Sequence, residues 1–284
     1  MVTRRAPSAT PPPPQFAPDP ISALTTRGFN VQYLSHARSI LTGEFPSALA
    51  ELAGVLSALS LPITEIIGSG GGETKFTQRT RRALADQGWR KHIFVVGKTI
   101  DGAQRESTSH EVDHVKTVAG IGTVGLEIEW NNKDPFFDRD LENYKRLHAD
   151  GAISVGVVIT RGATLQARMY HLVMRFAIER GITDFEALAS AGVTPTPKQI
   201  RNIRARTERG ANPIPFAEAW VQNFVSNKFG QATTHWDKLQ ARVSRGVGNP
   251  CPLLLIGLPA EIVVFDAALV EELPGDDEAS TPPV

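Results

Sequence analysis

Apolar positions along the chain recur with two different periods. In residues 46–60, Leu49, Leu52, Ala53, Leu56 and Leu59 fall three and four apart, which predicts an amphipathic helix. Residues 78–87 predict a second helix, closed by Gly88. The run HIFVV at 92–96 reads as a strand, and 111–118 and 124–130 read as two more. Gly120 and Gly122 supply a turn signal between those two, so a hairpin is expected. Asp138 is expected to cap a helix with Leu141, Tyr144 and Leu147 on one face and Gly151 at its end. A strand at 153–160 (ISVGVVIT), a mainly helical stretch at 165–229, a helix at 235–244 and a buried strand at 252–257 (PLLLIG) complete the order. Strands interleaved with helices in this way predict an α/β fold, a mixed sheet with helices on its faces.

The two ends break the pattern. Pro11, Pro12, Pro13 and Pro14 stand in a row among few apolar residues, so 1–22 is expected to be an extended, disordered arm, and 271–284 a loose acidic tail. The part between, 23–270, is long enough and apolar enough to form one domain, with 165–229 as a helical insertion. Lys plus Arg number 30 and Asp plus Glu number 30, so net charge neither announces nor excludes a nucleic-acid partner. Cys251 is the single cysteine, which excludes an internal disulfide or a multi-cysteine metal site. No apolar stretch approaches the ~20 residues of a membrane span, and the amino terminus lacks the apolar core of a signal peptide. The expectation is a cytoplasmic protein with no membrane partner.

Chemistry concentrates between His110 and Lys133, in HEVDHVK and VGLEIEWNNK. Side chains alternate along a strand, so Glu127 and Glu129 share one face while Leu126, Ile128 and Trp130 share the other. If Asp113 lies on the neighbouring hairpin strand, its carboxylate converges with theirs. Three carboxylates so placed suit Mg²⁺, a hard ion that takes oxygen ligands and keeps several waters. An ordinary half-exposed strand with its acids in solvent explains the alternation equally well, and periodicity does not decide between the two.

The order of blocks carries more. HEVDHVK (110–116), GLEIEWNNKDPFFDRDL (125–141), ISVGVVITRG (153–162) and TTHWDKLQARVSRGVGNPCPLLLIG (233–257) together resemble the PD-(D/E)xK nuclease core, and more closely the BglII and BamHI group of Type II restriction endonucleases. The resemblance implies that fold, a central mixed sheet of five to six strands flanked by helices. It also implies Mg²⁺-dependent hydrolysis of double-stranded DNA at a short palindromic site, leaving 5′-phosphates, with Mn²⁺ as a substitute cofactor and a homodimer as the acting unit. Carried over, Asp113, Glu127 and the backbone carbonyl of Ile128 become metal ligands and Glu129 the third catalytic group, standing where the wider superfamily has Lys. Glu73 is the candidate for an added acidic group.

Just beyond Glu129, the resemblance places Asn132 at a base, with Asn131 and Lys133 beside it; an Asx turn explains the same residues. Arg161 is a candidate to offer its fork to guanine, and Thr233, Thr234 and His235 to bind phosphate or base at a helix start, where simple capping by the threonines is the alternative. Arg201, Arg204, Arg206 and Arg209 suit either a DNA backbone or a solvated helix face. Gly70, Gly71 and Gly72 before Lys75 lack phosphate-loop spacing and read as a helix entry. His110 and His114, four apart on a strand, are expected to share a face away from Asp113, exposed or hydrogen-bonded, with no zinc site. Two rivals remain: a glycoside hydrolase, for which side-by-side Glu127 and Glu129 are poorly placed, and a DNA-binding protein, decayed nuclease or repair nuclease.

Overall fold

The computed structural model describes residues 19–68, 74–208 and 212–265. Glu73, the Gly70–Gly72 run, Arg209, the proline run and the acidic tail lie outside them. In chain order the elements are α1 (Pro20–Ala23), β1 (Asn30–Leu34), α2 (Ala37–Glu44), α3 (Pro46–Ala58), β2 (Leu61–Pro62), α4 (Ile63–Ile67), α5 (Lys75–Asp86), β3 (Arg90–Ile100), β4 (Ala103–Val118), β5 (Gly122–Glu129) and α6 (Phe136–Ala149). They continue with β6 (Val155–Arg161), α7 (Ala163–Glu179), α8 (Phe185–Ser190), α9 (Pro197–Thr207), α10 (Phe216–Lys228), α11 (Trp236–Val243), β7 (Leu253–Leu258) and β8 (Val263–Val264).

Six strands form one mixed sheet in the order β1-β7-β6-β5-β4-β3. The β3–β4 and β4–β5 pairs are antiparallel hairpins, β5–β6 and β6–β7 are parallel, and β1 closes the edge antiparallel to β7. This is the restriction-endonuclease-like α/β arrangement expected above. β6 and β7 are buried at every position because helices cover both faces, which is why they read as near-continuous apolar runs. On one face, Leu126, Ile128, Val157 and Ile159 pack with α3, α5 and α7. On the other, Val158, Leu253 and Leu255 pack with Phe137, Leu141, Tyr144 and Leu147 of α6 and Leu239 of α11.

Three expectations are corrected. Of the arm expected at 1–22, residues 19–22 are folded: Asp19 caps α1 by accepting from the Ile21 and Ser22 amides, and Ile21 is fully buried, while 1–18 lie outside the described residues. Strand β1 and helix α2 escaped notice, since β1 is a short, half-buried edge strand with no clean alternation. Asp138 does not cap α6: that helix starts two residues earlier, after Pro135, and Asp138 lies in its first turn, 3.3 Å from Arg242 on α11. Gly151 does adopt the left-handed conformation that ends α6 (φ +71°).

The chain crosses from β5 through α6 to β6 at close range, and glycine makes this possible. A Cβ on Gly156 of β6 would stand 2.5 Å from the Tyr144 ring, while the Tyr144 hydroxyl donates to the Val157 carbonyl at 2.9 Å. Gly156→Ala should therefore force Tyr144 off this seat and destabilise the protein by about 1–3 kcal/mol, read as a lower urea midpoint with an unchanged slope.

Candidate active site

Three elements bring the site together: β4, β5 and α6. The β4–β5 ladder pairs His114 with Leu126, and one further step of the same register sets Asp113 opposite Glu127. Glu129 follows on the same face of β5, its backbone carbonyl accepting from the Thr160 hydroxyl of β6 at 2.8 Å. Asp113 is exposed, but Glu127 and Glu129 are only 6% and 3% exposed. A solvated strand with outward acids does not describe this arrangement.

Strand β4 also carries a bulge. Between Arg90 and His92 of β3, the partner on β4 moves from Val115 to Val112, one residue more than a regular ladder allows. An unbroken strand would send Val112 and Val115 to opposite faces, yet both pack in the α6-side cluster. The expectation that His110 and His114 stand on a common face fails here, because the extra residue lies between them. Both are buried rather than solvent-facing. His114 Nδ1 lies 3.4 Å from the Leu126 carbonyl, its Nε2 has no partner, and burial pushes its pKa down.

Helix α6 contributes two residues that the sequence reading passed over. Asp140, 2% exposed, reaches the Glu129 carboxyl, and Arg139 binds Asp140 Oδ1 at 2.8 Å while lying 3.7 Å from Glu129 Oε1. The signal was present: Asp140 lies three residues after Phe137 and four before Tyr144, on the apolar stripe of the helix, where an unpaired acid is costly. On its other side, Glu129 Oε2 accepts from Asn132 Nδ2 at 2.8 Å.

Burial and mutual repulsion shift these groups. Glu127 is held well above the usual carboxylate range, first by burial and then by the charges of Asp113 and Asp140. Burial, followed by the neighbouring Asp140, pushes Glu129 up to about 9, and burial also raises Asp140. Arg139 lies beside Asp140 and Glu129, and Lys91 acts on Asp113 from the neighbouring strand.

The donor chemistry suits a hard divalent cation. Glu127 and Asp113 are within hydrogen-bonding reach of each other and both offer oxygen, and Asp140, at the Glu129 carboxyl, offers more. Among the described residues no three His, Cys, Asp or Glu side chains stand close enough to enclose an ion by themselves. A pair of carboxylates is nevertheless what Mg²⁺ takes, the remaining positions going to water and phosphate rather than to a protein cage. The residues fit such an ion in that form.

A cleft of about 600 Å³ is lined by Asp113, Asn131, Asn132, Arg81, Arg90 and Lys91 among others, and also by Ile128 and Trp130, which lie on the face opposite Glu127 and Glu129. Asn132 and Lys133 are exposed, and Lys133 forms an isolated β-bridge with Thr233. The other sequence-predicted DNA contacts are placed differently. Arg161 and Thr234 are fully buried and His235 nearly so, and none presents a polar group to a duplex here. The guanidinium of Arg161 is spent on internal acceptors, as described below, so its assignment as a guanine reader is corrected. Capping by the threonines is corrected as well: α11 begins at Trp236 after His235, whose side chain makes no cap bond, and the Thr233 hydroxyl donates to the Gly230 carbonyl at 2.7 Å.

A carboxylate-bearing hairpin strand, crossed by one helix to a parallel neighbour inside a mixed sheet, is consistent with the restriction-endonuclease-like fold. The chain belongs to the restriction endonuclease BglII/BglIII family, whose model matches residues 29–258, and it is accordingly a Type II, site-specific deoxyribonuclease. No curated protein matches the chain significantly.

The raised pKa of Glu129 has a measurable consequence. A group whose pKa is higher in the folded state contributes stability that is complete below its ordinary value, here 4.5, and lost as pH rises towards about 9. The metal-free protein should lose stability across that window, and Glu129→Gln should remove a large part of the slope. Urea midpoints taken every half pH unit measure this, and equal slopes for both proteins would contradict the assignment.

Proposed function

We propose that this Type II enzyme hydrolyses both strands of a short palindromic duplex site with Mg²⁺, leaving 5′-phosphates, and that Asp113, Glu127 and Glu129 carry the reaction. The observation that carries the reading is the burial of Glu127 and Glu129 beside Asp113 on adjoining strands, Asp113 itself lining a cleft together with Arg81, Arg90 and Lys91. Acids are buried at such cost where their charge is used, and basic side chains in the cleft that Asp113 lines suit a phosphate backbone.

Asp113 and Glu127, with the backbone carbonyl of Ile128, are the metal-holding groups in this reading. A divalent cation held by these residues would supply charge neutralisation at the scissile phosphate and a more acidic water, and would favour the ionised form of the neighbouring carboxylates. Glu129, then ionised, stands to take the proton of the attacking water as the bond to the 3′ oxygen breaks. Asn132 holds Glu129 through one amide hydrogen. Its second amide hydrogen and its Oδ1 remain to meet a base edge, with Asn131 and Lys133 beside it. Thr233 lies at the partly exposed rim, whereas Thr234 and His235 would need to be uncovered before they could touch DNA.

Two-fold symmetry of the site calls for a two-fold protein, so we place a homodimer contact on the exposed face of α6. Among the described residues no helix is long and apolar enough to cross a membrane, and the proposed location is cytoplasmic. Glu127 and Glu129 are buried side by side on one strand and do not flank a sugar-sized gap, which disfavours glycoside hydrolysis.

Digestion of a plasmid library with Mg²⁺ and sequencing of the ends should give one short motif with 5′-phosphate termini, and EDTA should abolish cutting. Random cuts or none would reject site-specific cleavage. Glu129→Ala should retain duplex binding while cleavage slows by about 10²-fold or more. If that variant cuts at the wild-type rate, the site is elsewhere, and if the wild type binds without cutting, the non-cleaving alternative holds.

A further inference from the structure

Arg161 ends β6 in complete enclosure, and among the described residues no carboxylate pairs with it. Its donors go to neutral acceptors on three separate segments. Nε donates to the Trp130 carbonyl at 2.8 Å, Nη1 to Gln166 Oε1 at 2.6 Å, and Nη2 to Thr233 Oγ1 and the Thr234 carbonyl, each at 2.6 Å. Gln166 passes the network on to the Phe229 carbonyl at 2.9 Å, and the guanidinium lies 4.9 Å from the centre of the Phe229 ring. Burial alone lowers its pKa to about 9, so it stays charged at neutral pH. An uncompensated buried cation is expensive, and only the planar fork of Arg meets acceptors in so many directions.

What this cation holds in place is the chain just past Glu129. The staple from Trp130 to Thr234 lies alongside the Lys133–Thr233 bridge, the Thr234 amide donating to the Asn132 carbonyl at 2.8 Å, and the Asp134 amide donating to the Ala232 carbonyl at 3.1 Å. Asn132 is thereby fixed at both its backbone and its side chain, and its carboxamide donates to Glu129. We infer that Arg161 is a positioning residue: it ties the end of β5 to residues 232–235 and so sets Asn132, which in turn orients Glu129. The structural half of this inference stands on the contacts alone, and the catalytic half rests on the function proposed above.

Two measurements test the halves separately. Hydrogen exchange needs no nuclease activity: in Arg161→Lys the amides of Asp134 and Thr234 should exchange about tenfold faster or more, while the β3–β4 hairpin keeps its protection. Unchanged exchange at those two amides would overturn the staple, whether or not the wild type cuts DNA. Single-turnover cleavage then uses a duplex carrying the site found by end sequencing, with binding measured separately in Ca²⁺. Arg161→Lys should bind normally and cleave up to about 10²-fold more slowly, with the cut site unchanged. Because Arg161 acts through Asn132, the double variant with Asn132→Ala should be no slower than the slower single variant, whereas losses that multiply would overturn the inference. Relaxed choice at a base pair that Asn132→Ala reads as strictly as the wild type would also overturn it, in favour of direct reading by Arg161. If Arg161→Lys does not fold, Gln166→Leu removes one acceptor outside the cleft lining and should show the same non-additivity with Asn132→Ala at a smaller loss.

Discussion

Two carboxylates buried on a central strand are the constraint around which the rest of this structure is arranged. Glu127 and Glu129 sit where a parallel-sheet protein normally buries valine, next to Val158 and Thr160 of β6. Uncharged they cost hydrogen bonds, and charged they repel each other and Asp140. The surroundings answer this in part: Asn132 donates to the Glu129 carboxylate, and Arg139 bridges Asp140 towards it, while the Thr160 hydroxyl holds the backbone carbonyl of Glu129. None of these supplies enough positive charge to balance the cluster. A folded state left with that imbalance gives up stability at these carboxylates.

The compensation lies on the far side of the same strand. Leu126, Ile128 and Trp130 enter the larger apolar cluster, and Trp130 stacks near Phe76 and Phe229, so β5 is anchored by one face while the other carries acids. Arg161 lies at the end of this anchor, below Trp130 and over Phe229. The energetic logic is consistent along the strand: apolar burial holds it, and polar contacts aim it.

Much of this was legible beforehand. The 3.6-residue pattern located α3 and α5, the continuous apolar runs located β6 and β7, and alternation correctly separated Glu127 and Glu129 from Ile128 and Trp130. What failed were features set by three-dimensional neighbours. The bulge at Val112–Val115 leaves no compositional trace, so the histidine faces were misjudged. Arg161 was read as a reaching side chain because an arginine after a strand resembles a ligand contact, and only the positions of Trp130, Gln166 and Thr234 reveal it as internal. Asp140 was the avoidable omission, since an acid on an apolar helical stripe is itself a signal.

These misreadings share a cause that bears on how the site works. Periodicity tells which face a residue occupies, but not whether the groups it meets are apolar, charged or orphaned. Among the described residues, the buried side-chain atoms without a hydrogen-bond donor or acceptor beside them include His114 Nε2, Thr234 Oγ1 and both ring nitrogens of His235, along with Arg79 Nε on α5 and Gln240 Nε2 on α11. Native interiors leave few such atoms, and each represents a hydrogen bond given up on folding. With Glu127, Glu129 and Asp140 buried as well, the polar cost of this fold is spread over β4, β5 and the helices that pack against the sheet. The apolar clusters therefore have to carry the stability of the domain without help from the site.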